Sequence, residues 1–384
     1  MKLGLVFTND WELLGDGTGD YFEVQHRPLE QLAAVMQDYG ARLTVMAEVA
    51  QQWAHLELAD RFSWAKEIAT AWESILTRIV AAGHDAQLHL HPQWLDATHE
   101  GDGWKLHFDR WAVSSLSRSE LYRVISHGKA YLESLLTPAD PSYECLAFRA
   151  GAYTIQPSRD IVPSLVASGF LCDTSVTKGI VQDELYDFRN AHSNCIPWHA
   201  DPEHIECQAD IPSGLMEMPI YSATMWDSPL LRRCRWFQYG TVLSSEERKW
   251  FTDRERIWNV RYPRAARPFF RYKFRPVHLV QAWLRRTAVQ LDYDVLCAKT
   301  FVDLLRRLFT EGAGNRWSDP EIIVPVVASG HVKSMHSTEN VARILARVHS
   351  ELGGTVVHWT LREAVRYWKK RIERPGWPAP TIMC

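Results

Sequence analysis

Residues 84–94 read HDAQLHLHPQW, with histidine at 84, 89 and 91 and proline at 92. The stretch follows Gly83, which stops a long helical pattern, and it predicts a β-strand over "DAQLHLH". Residues two apart on a strand face the same side, so His89 and His91 share one face while Leu88 and Leu90 take the other. Two imidazoles on one face of a strand end are either a hydrogen-bonded pair or part of a metal site. Ligands from elsewhere in the chain must decide. His84, at the start of the strand, reads as a surface or capping residue.

Outward from this strand, elements alternate. "KLGLVFT" is a first strand ending in "NDWE", and "RPLEQLAAVMQDYG" is an amphipathic helix closed by Gly40. "ARLTVMAE" is a second strand, and "SWAKEIATAWESILTRIVAAG" a helix with Ser63 as its expected cap. Beyond the histidine strand come the helix "SRSELYRVISHGKAYLESLL", the strand "CLAFRAG", the helix "SRDIVPSLVASG" and the strands "FLCDTS" and "LMEMPI". The chain closes with "EIIVPVVASGH", a helix from "STENVARILARVHSELGG", the strand "TVVHWT" and the helix "REAVRYWKKR". Such alternation predicts parallel βα units, closed as a barrel or open as a doubly wound sheet, with function at the strand ends.

Composition narrows the class. At 384 residues, with 46% hydrophobic and 23% charged residues, the chain can bury a sizeable core, which excludes wholesale disorder. A net charge of -3 gives no global basicity for nucleic acid. "MKLGLVFTNDWE" meets acid too early for a signal peptide, and no window reaches the length of a membrane span. The seven cysteines are scattered with no CxxC pair, so a reduced, cytoplasmic protein is expected. The alternation breaks between Leu231 and Arg286, where fifteen Arg or Lys stand against four Asp or Glu among interleaved aromatics. This predicts an insertion over 228–310, with 1–227 and 311–384 forming the main domain.

Polar residues recur at the strand ends: Asn9, Asp10 and Glu12, then His89 and His91, Arg149, Asp173, and His331 with His336. In a parallel barrel these ends point to one face. Carboxylates, imidazoles and an arginine gathered there suit a divalent metal and the acid–base chemistry of hydrolysis.

"FTNDWE", "GHDAQLHLHPQW", "FRAGAYT", "FLCDTS", "LMEMPI" and "SGHVKSMH" fall in the order of the motifs of polysaccharide deacetylases. The sequence therefore resembles the NodB-homology group, carbohydrate esterase family 4, over roughly 1–225 and 320–370. Within that group it looks closest to the WalW-like proteins of lipopolysaccharide or exopolysaccharide biosynthesis. The resemblance implies an α/β fold, a deformed (β/α) barrel, and metal-dependent removal of an acetyl group from an N-acetylated sugar. It implies Asp10 as catalytic base, Arg149 as the residue orienting it, and His331 or His336 as the acid. Asp10, Glu12, His89 and His91 are the implied metal ligands, and Trp94, Tyr153 and Asp173 the implied substrate contacts. Zinc is the default ion, with cobalt, nickel or iron fitting similar ligands. The sequence departs from the family pattern in three places. Asn9 and Trp11 flank Asp10 where two adjacent acids are usual; Gln93 stands where a second histidine is usual, so that His91 substitutes; and "AGAY" displaces Tyr153 by one.

The expected partner is an N-acetylated glycan, lipid- or nucleotide-linked, with no nucleic acid. The basic-aromatic stretch reads as a solvated face, an anion cradle or a peripheral membrane contact. Two rival readings are a catalytically silent glycan-binding barrel and a metal-dependent phosphoesterase or amidohydrolase.

Overall fold

The computed structural model describes residues 1–101, 103–182, 185–226, 286–312, 321–335 and 337–373. Its main sheet contains β1 (Lys2–Trp11), β2 (Leu43–Glu48), β3 (Asp85–Leu90), β4 (Ala147–Ala150) and β5 (Cys172–Asp173). It continues with β6 (Trp198–His199), β7 (Met216–Glu217), β8 (Ile323–Ala328) and β9 (Val356–His358). The spatial order is β6-β7-β5-β4-β3-β2-β1-β8, and β9 also pairs with β1. Every pairing is parallel except β6 on β7. The sheet curls, and the segment after β7 returns to β8: Ile220 and Val327 form a parallel bridge, and the Tyr221 N–H donates to the Val327 carbonyl at 2.9 Å.

The helices between strands follow from apolar spacing. In α1 (Arg27–Asp38) the buried residues are Leu29, Leu32, Ala33 and Met36, one face of a 3.6-residue period. The helix α2 (Val49–Leu58) was not expected; it starts where the Glu48 carboxylate accepts the Ala50 N–H. The next helix, α3 (Ser63–Ala81), begins without a side-chain cap, and Ser63 is its first helical residue rather than the cap. In α4 (Arg118–Leu136) Ser117 and Glu120 form a reciprocal capping box. The later helices are α5 (Ile161–Ala167), α6 (Ala298–Gly312), α7 (Glu339–Leu352) and α8 (Leu361–Ile372).

Part of the stretch expected as an insertion packs into this body. Leu291, Tyr293, Phe301 and Leu305 belong to the same buried core as β1 and β8. Strand Ser222–Trp226 pairs antiparallel with Arg286–Gln290, and residues 227–285 between them lie outside the described residues. The basic-aromatic reading of 231–286 falls almost wholly there. Among the described residues no helix is long and apolar enough to cross a membrane. Among the described residues Cys145, Cys172 and Cys207 are free thiols.

Register positions the site. Glu48 stands opposite His89, and His89 opposite Arg149, across three adjacent strands. The curl turns this row inward, beside the C-terminal end of β1.

Candidate metal centre

Period-two alternation along β1 sends Thr8, Asp10 and Glu12 to one side. Asn9 and Trp11 go to the other, where Asn9 Nδ2 donates to the Tyr293 hydroxyl at 2.9 Å and Trp11 Nε1 to the Gln25 carbonyl at 3.0 Å. On the inner side Glu12 meets His89 of β3 and His91 just beyond it. Its Oε2 contacts His91 Nε2 and lies 3.7 Å from His89 Nε2, while its Oε1 receives the Lys333 ammonium. Burial alone would raise the Glu12 carboxyl, but the charges of His91 and Lys333 hold it well below the usual carboxylate range.

A fourth group completes this cluster. Glu48 ends β2, and one ligand atom from each of Glu12, Glu48, His89 and His91 lies within 4.8 Å of the others, all four residues being buried. Glu48 Oε2 and His89 Nε2 have no hydrogen-bond partner, and His91 Nε2 is met by the Glu12 carboxylate alone. Two orphaned, buried atoms beside that pair are expensive unless something binds them. Two imidazoles and two carboxylates are the donor set of zinc and similar divalent ions, so these residues fit such an ion. Burial pushes the Glu48 carboxyl up to about 8, with the Glu12 charge adding to the rise and His91 opposing it. Sequence reasoning missed Glu48. The signal was present, because it is an acid ending a parallel strand, as Asp10 and Asp173 are.

His91 sits in a close-fitting seat. A Cβ on Gly151 would come 2.6 Å from His91 Cγ and 2.7 Å from the Leu90 carbonyl oxygen, so only glycine admits the ring there. After it the backbone turns through positive φ at Ala152 (49°) and Tyr153 (59°), a conformation non-glycine residues seldom hold. This turn brings Tyr153 into the field of Asp10, and its hydroxyl accepts from Gln290 Nε2 at 3.2 Å.

Asp10 lies beside the four-residue cluster rather than in it. Arg149, fully buried, donates to Asp10 Oδ1 at 2.6 Å, to Thr8 Oγ1 at 2.9 Å and to the Thr174 carbonyl at 2.9 Å. Burial would raise the Asp10 carboxyl; Arg149, His89 and His331 more than reverse this and hold it below its ordinary value. The other Asp10 oxygen is 3.6 Å from His331 Nε2. The opposite side of that histidine faces Asp294, whose Oδ2 lies 4.0 Å from Nδ1 and accepts the His331 backbone N–H at 3.2 Å. Asp294 was also missed, because it falls in the stretch expected as an insertion. Together with Asp292 it forms a second group with His331. His336 lies outside the described residues.

The remaining expected residues stand away from the cluster. Asp173 is fully buried on β5, accepts from Ser175 N at 2.8 Å and shares its environment with Glu217; burial raises both carboxyls, Glu217 well above the carboxylate range. Trp94 is buried against Trp104 and His55 and lines a cavity of about 230 Å³ with Trp53, Arg110 and Arg123.

No family model matches the chain, and no curated protein matches it. Among solved structures, it is similar to a protein described as a polysaccharide deacetylase from Mycobacterium smegmatis, with a TM-score of 0.45 and 11% identity over 97% of this chain and 92% of that one. The allantoinase Puue gives a TM-score of 0.43 and 12% identity over 96% and 90%. A protein described as a polysaccharide deacetylase from Pseudomonas aeruginosa PAO1 gives 0.42 and 12% over 97% and 92%. Likeness this distant leaves function to be argued from the site.

Proposed function

We propose that the chain is a metal-dependent hydrolase that removes the acetyl group from an N-acetylated sugar, on a deformed (β/α) barrel. One observation carries the reading: the convergent, buried set Glu12, Glu48, His89 and His91 beside an Arg149-held Asp10 and a reachable His331. Glu12, His89, His91 and Glu48 would hold the ion, which when bound supplies Lewis-acid polarisation of the amide carbonyl and activation of a water. Asp10 then takes the proton of the attacking water. Arg149 keeps that carboxylate ionised and fixed in direction, so it acts as a base near neutral pH. His331, about a quarter exposed, delivers a proton to the leaving amine, and Asp294 orients its ring from behind. Tyr153, in the field of Asp10, would contact the substrate.

The substrate class, a cell-surface glycan precursor, rests on the motif order and not on a contact. A cytoplasmic setting with peripheral membrane contact through 231–286 belongs to the same reading. Asp10→Asn tests the mechanism: acetate release from N-acetylated chitooligosaccharides should fall roughly 10²–10⁴-fold while bound metal is retained. Wild-type turnover in that variant would sink Asp10 as base. One observation favours a second reading, a silent glycan-binding barrel: the Lys333 ammonium already supplies Glu12 with a cation from the protein. Glycan binding without acetate release at any divalent ion would select it.

A further inference from the structure

An imidazole ligates through Nε2 only when its proton sits on Nδ1, so each histidine of the centre needs an acceptor at Nδ1. His89 has one that cannot change: its Nδ1 lies 3.0 Å from the Arg149 carbonyl oxygen, which only accepts. Strand pairing between β3 and β4 therefore sets the His89 tautomer.

His91 stands just past β3, and its Nδ1 partner is a side chain. The Gln93 amide lies 3.0 Å from it, with nitrogen facing the ring. Gln93 is fully buried, and its own Oε1 has no hydrogen-bond partner. In this arrangement Gln93 Nε2 donates to Nδ1, so the His91 proton sits on Nε2 and faces Glu12 Oε2. With its proton on Nε2 the ring cannot ligate through that nitrogen. The ring lies directly over Gly151, where a Cβ would come 2.6 Å from its Cγ. The amide can change. Its two ends are nearly equal in size, and turning it through half a revolution presents Oε1 to Nδ1 without repacking.

We propose that Gln93 is a positioning residue that sets the tautomer of His91, presenting its nitrogen to Nδ1 in the ion-free protein and its oxygen when the centre takes up a divalent ion. The residue that departs from the expected histidine pattern thus acts as an outer-sphere partner of the histidine that replaces it. The proposal rests on the metal-centre reading above.

Zinc affinity, measured by competition with a chromogenic chelator, tests it on the whole chain with two variants. Gln93→Met keeps length and volume but removes the amide; affinity should fall 10- to 100-fold. Gln93→Glu keeps only the acceptor and should bind zinc at least as tightly as wild type. Nitrogen-15 spectra should place the His91 proton on Nε2 in the ion-free wild type, on Nδ1 after zinc addition, and on Nδ1 in Gln93→Glu in both states. Wild-type affinity in Gln93→Met, or a proton on Nδ1 in ion-free wild type, overturns the proposal. If Gln93→Met does not fold, a tenfold or greater loss in Gln93→Glu overturns it alone. A wild type that takes up no zinc overturns the metal-centre reading itself, a result distinct from these.

Discussion

The two ends of β3 carry the same kinds of side chain on the same inner face and treat them oppositely. At the N-terminal end Asp85 is fully buried, and every contact it offers is met. Gln87 Nε2 lies 3.2 Å from each oxygen, the Arg362 N–H donates to Oδ2 at 3.2 Å, and Arg362 Nε lies 3.5 Å from Oδ1. Arg362 is in turn tied to Asp140 at 2.7 Å and to the Ser142 carbonyl at 3.0 Å. At the C-terminal end His89 Nε2 and Glu48 Oε2 are unmet, and His91 Nε2 has only the Glu12 carboxylate. Protein groups close the first end. The second could hold a divalent ion. Burial and charge alone do not separate a structural polar core from a candidate centre; satisfaction of hydrogen bonds does.

Breaking the closed end should have the largest effect on stability. Arg362→Met strands Asp85 in the interior and should cost about 3–5 kcal/mol in denaturant unfolding. Zinc affinity per folded molecule should stay unchanged, and a loss there would mean that the two ends are coupled. At the open end, Glu48 gives a pH signature in chelator-treated protein. Its folded-state value, about 8, lies above its ordinary value of 4.5. Its stability contribution is therefore full below pH 4.5 and is lost as pH rises toward 8, on the order of 3–5 kcal/mol. Glu48→Gln should flatten the stability profile across that window, and an unchanged slope would remove Glu48 from the ion-free account. Gly151→Ala should lower stability by about 1–3 kcal/mol by overpacking against His91, with zinc binding weakened in parallel. Its zinc affinity separates a seated His91 from a loose one. The smallest effect calibrates the rest: Ser117→Ala removes the cap of α4 for about 1 kcal/mol and should leave zinc binding untouched.

Much of this arrangement was legible in residue spacing. Alternation placed His89 and His91 on one face, and the same rule placed Asp10 and Glu12 together on β1. Glu48 is a lone strand-end acid in "TVMAE", and only the strand register sets it beside His89. Asp294 and the packed helix α6 escaped because a run of basic and aromatic residues just before them suggested a separate unit. Only packing reveals that Tyr293 and Phe301 complete the core around Phe7. Gln93 looked like a lost ligand, and its contact with His91 depends on a local turn that periodicity does not describe.

By itself, the sequence determined most of the alternating strands and helices and which residues share a strand face, because side-chain direction along a strand follows from local backbone geometry. Tertiary structure alone decided that Glu48 joins the histidines, that Asp10 is held by Arg149 beside the cluster, and that Asp85 is closed off while His91 is not. Those outcomes depend on strand register, sheet curl and the few ångströms separating side chains distant in sequence, and no local preference encodes them.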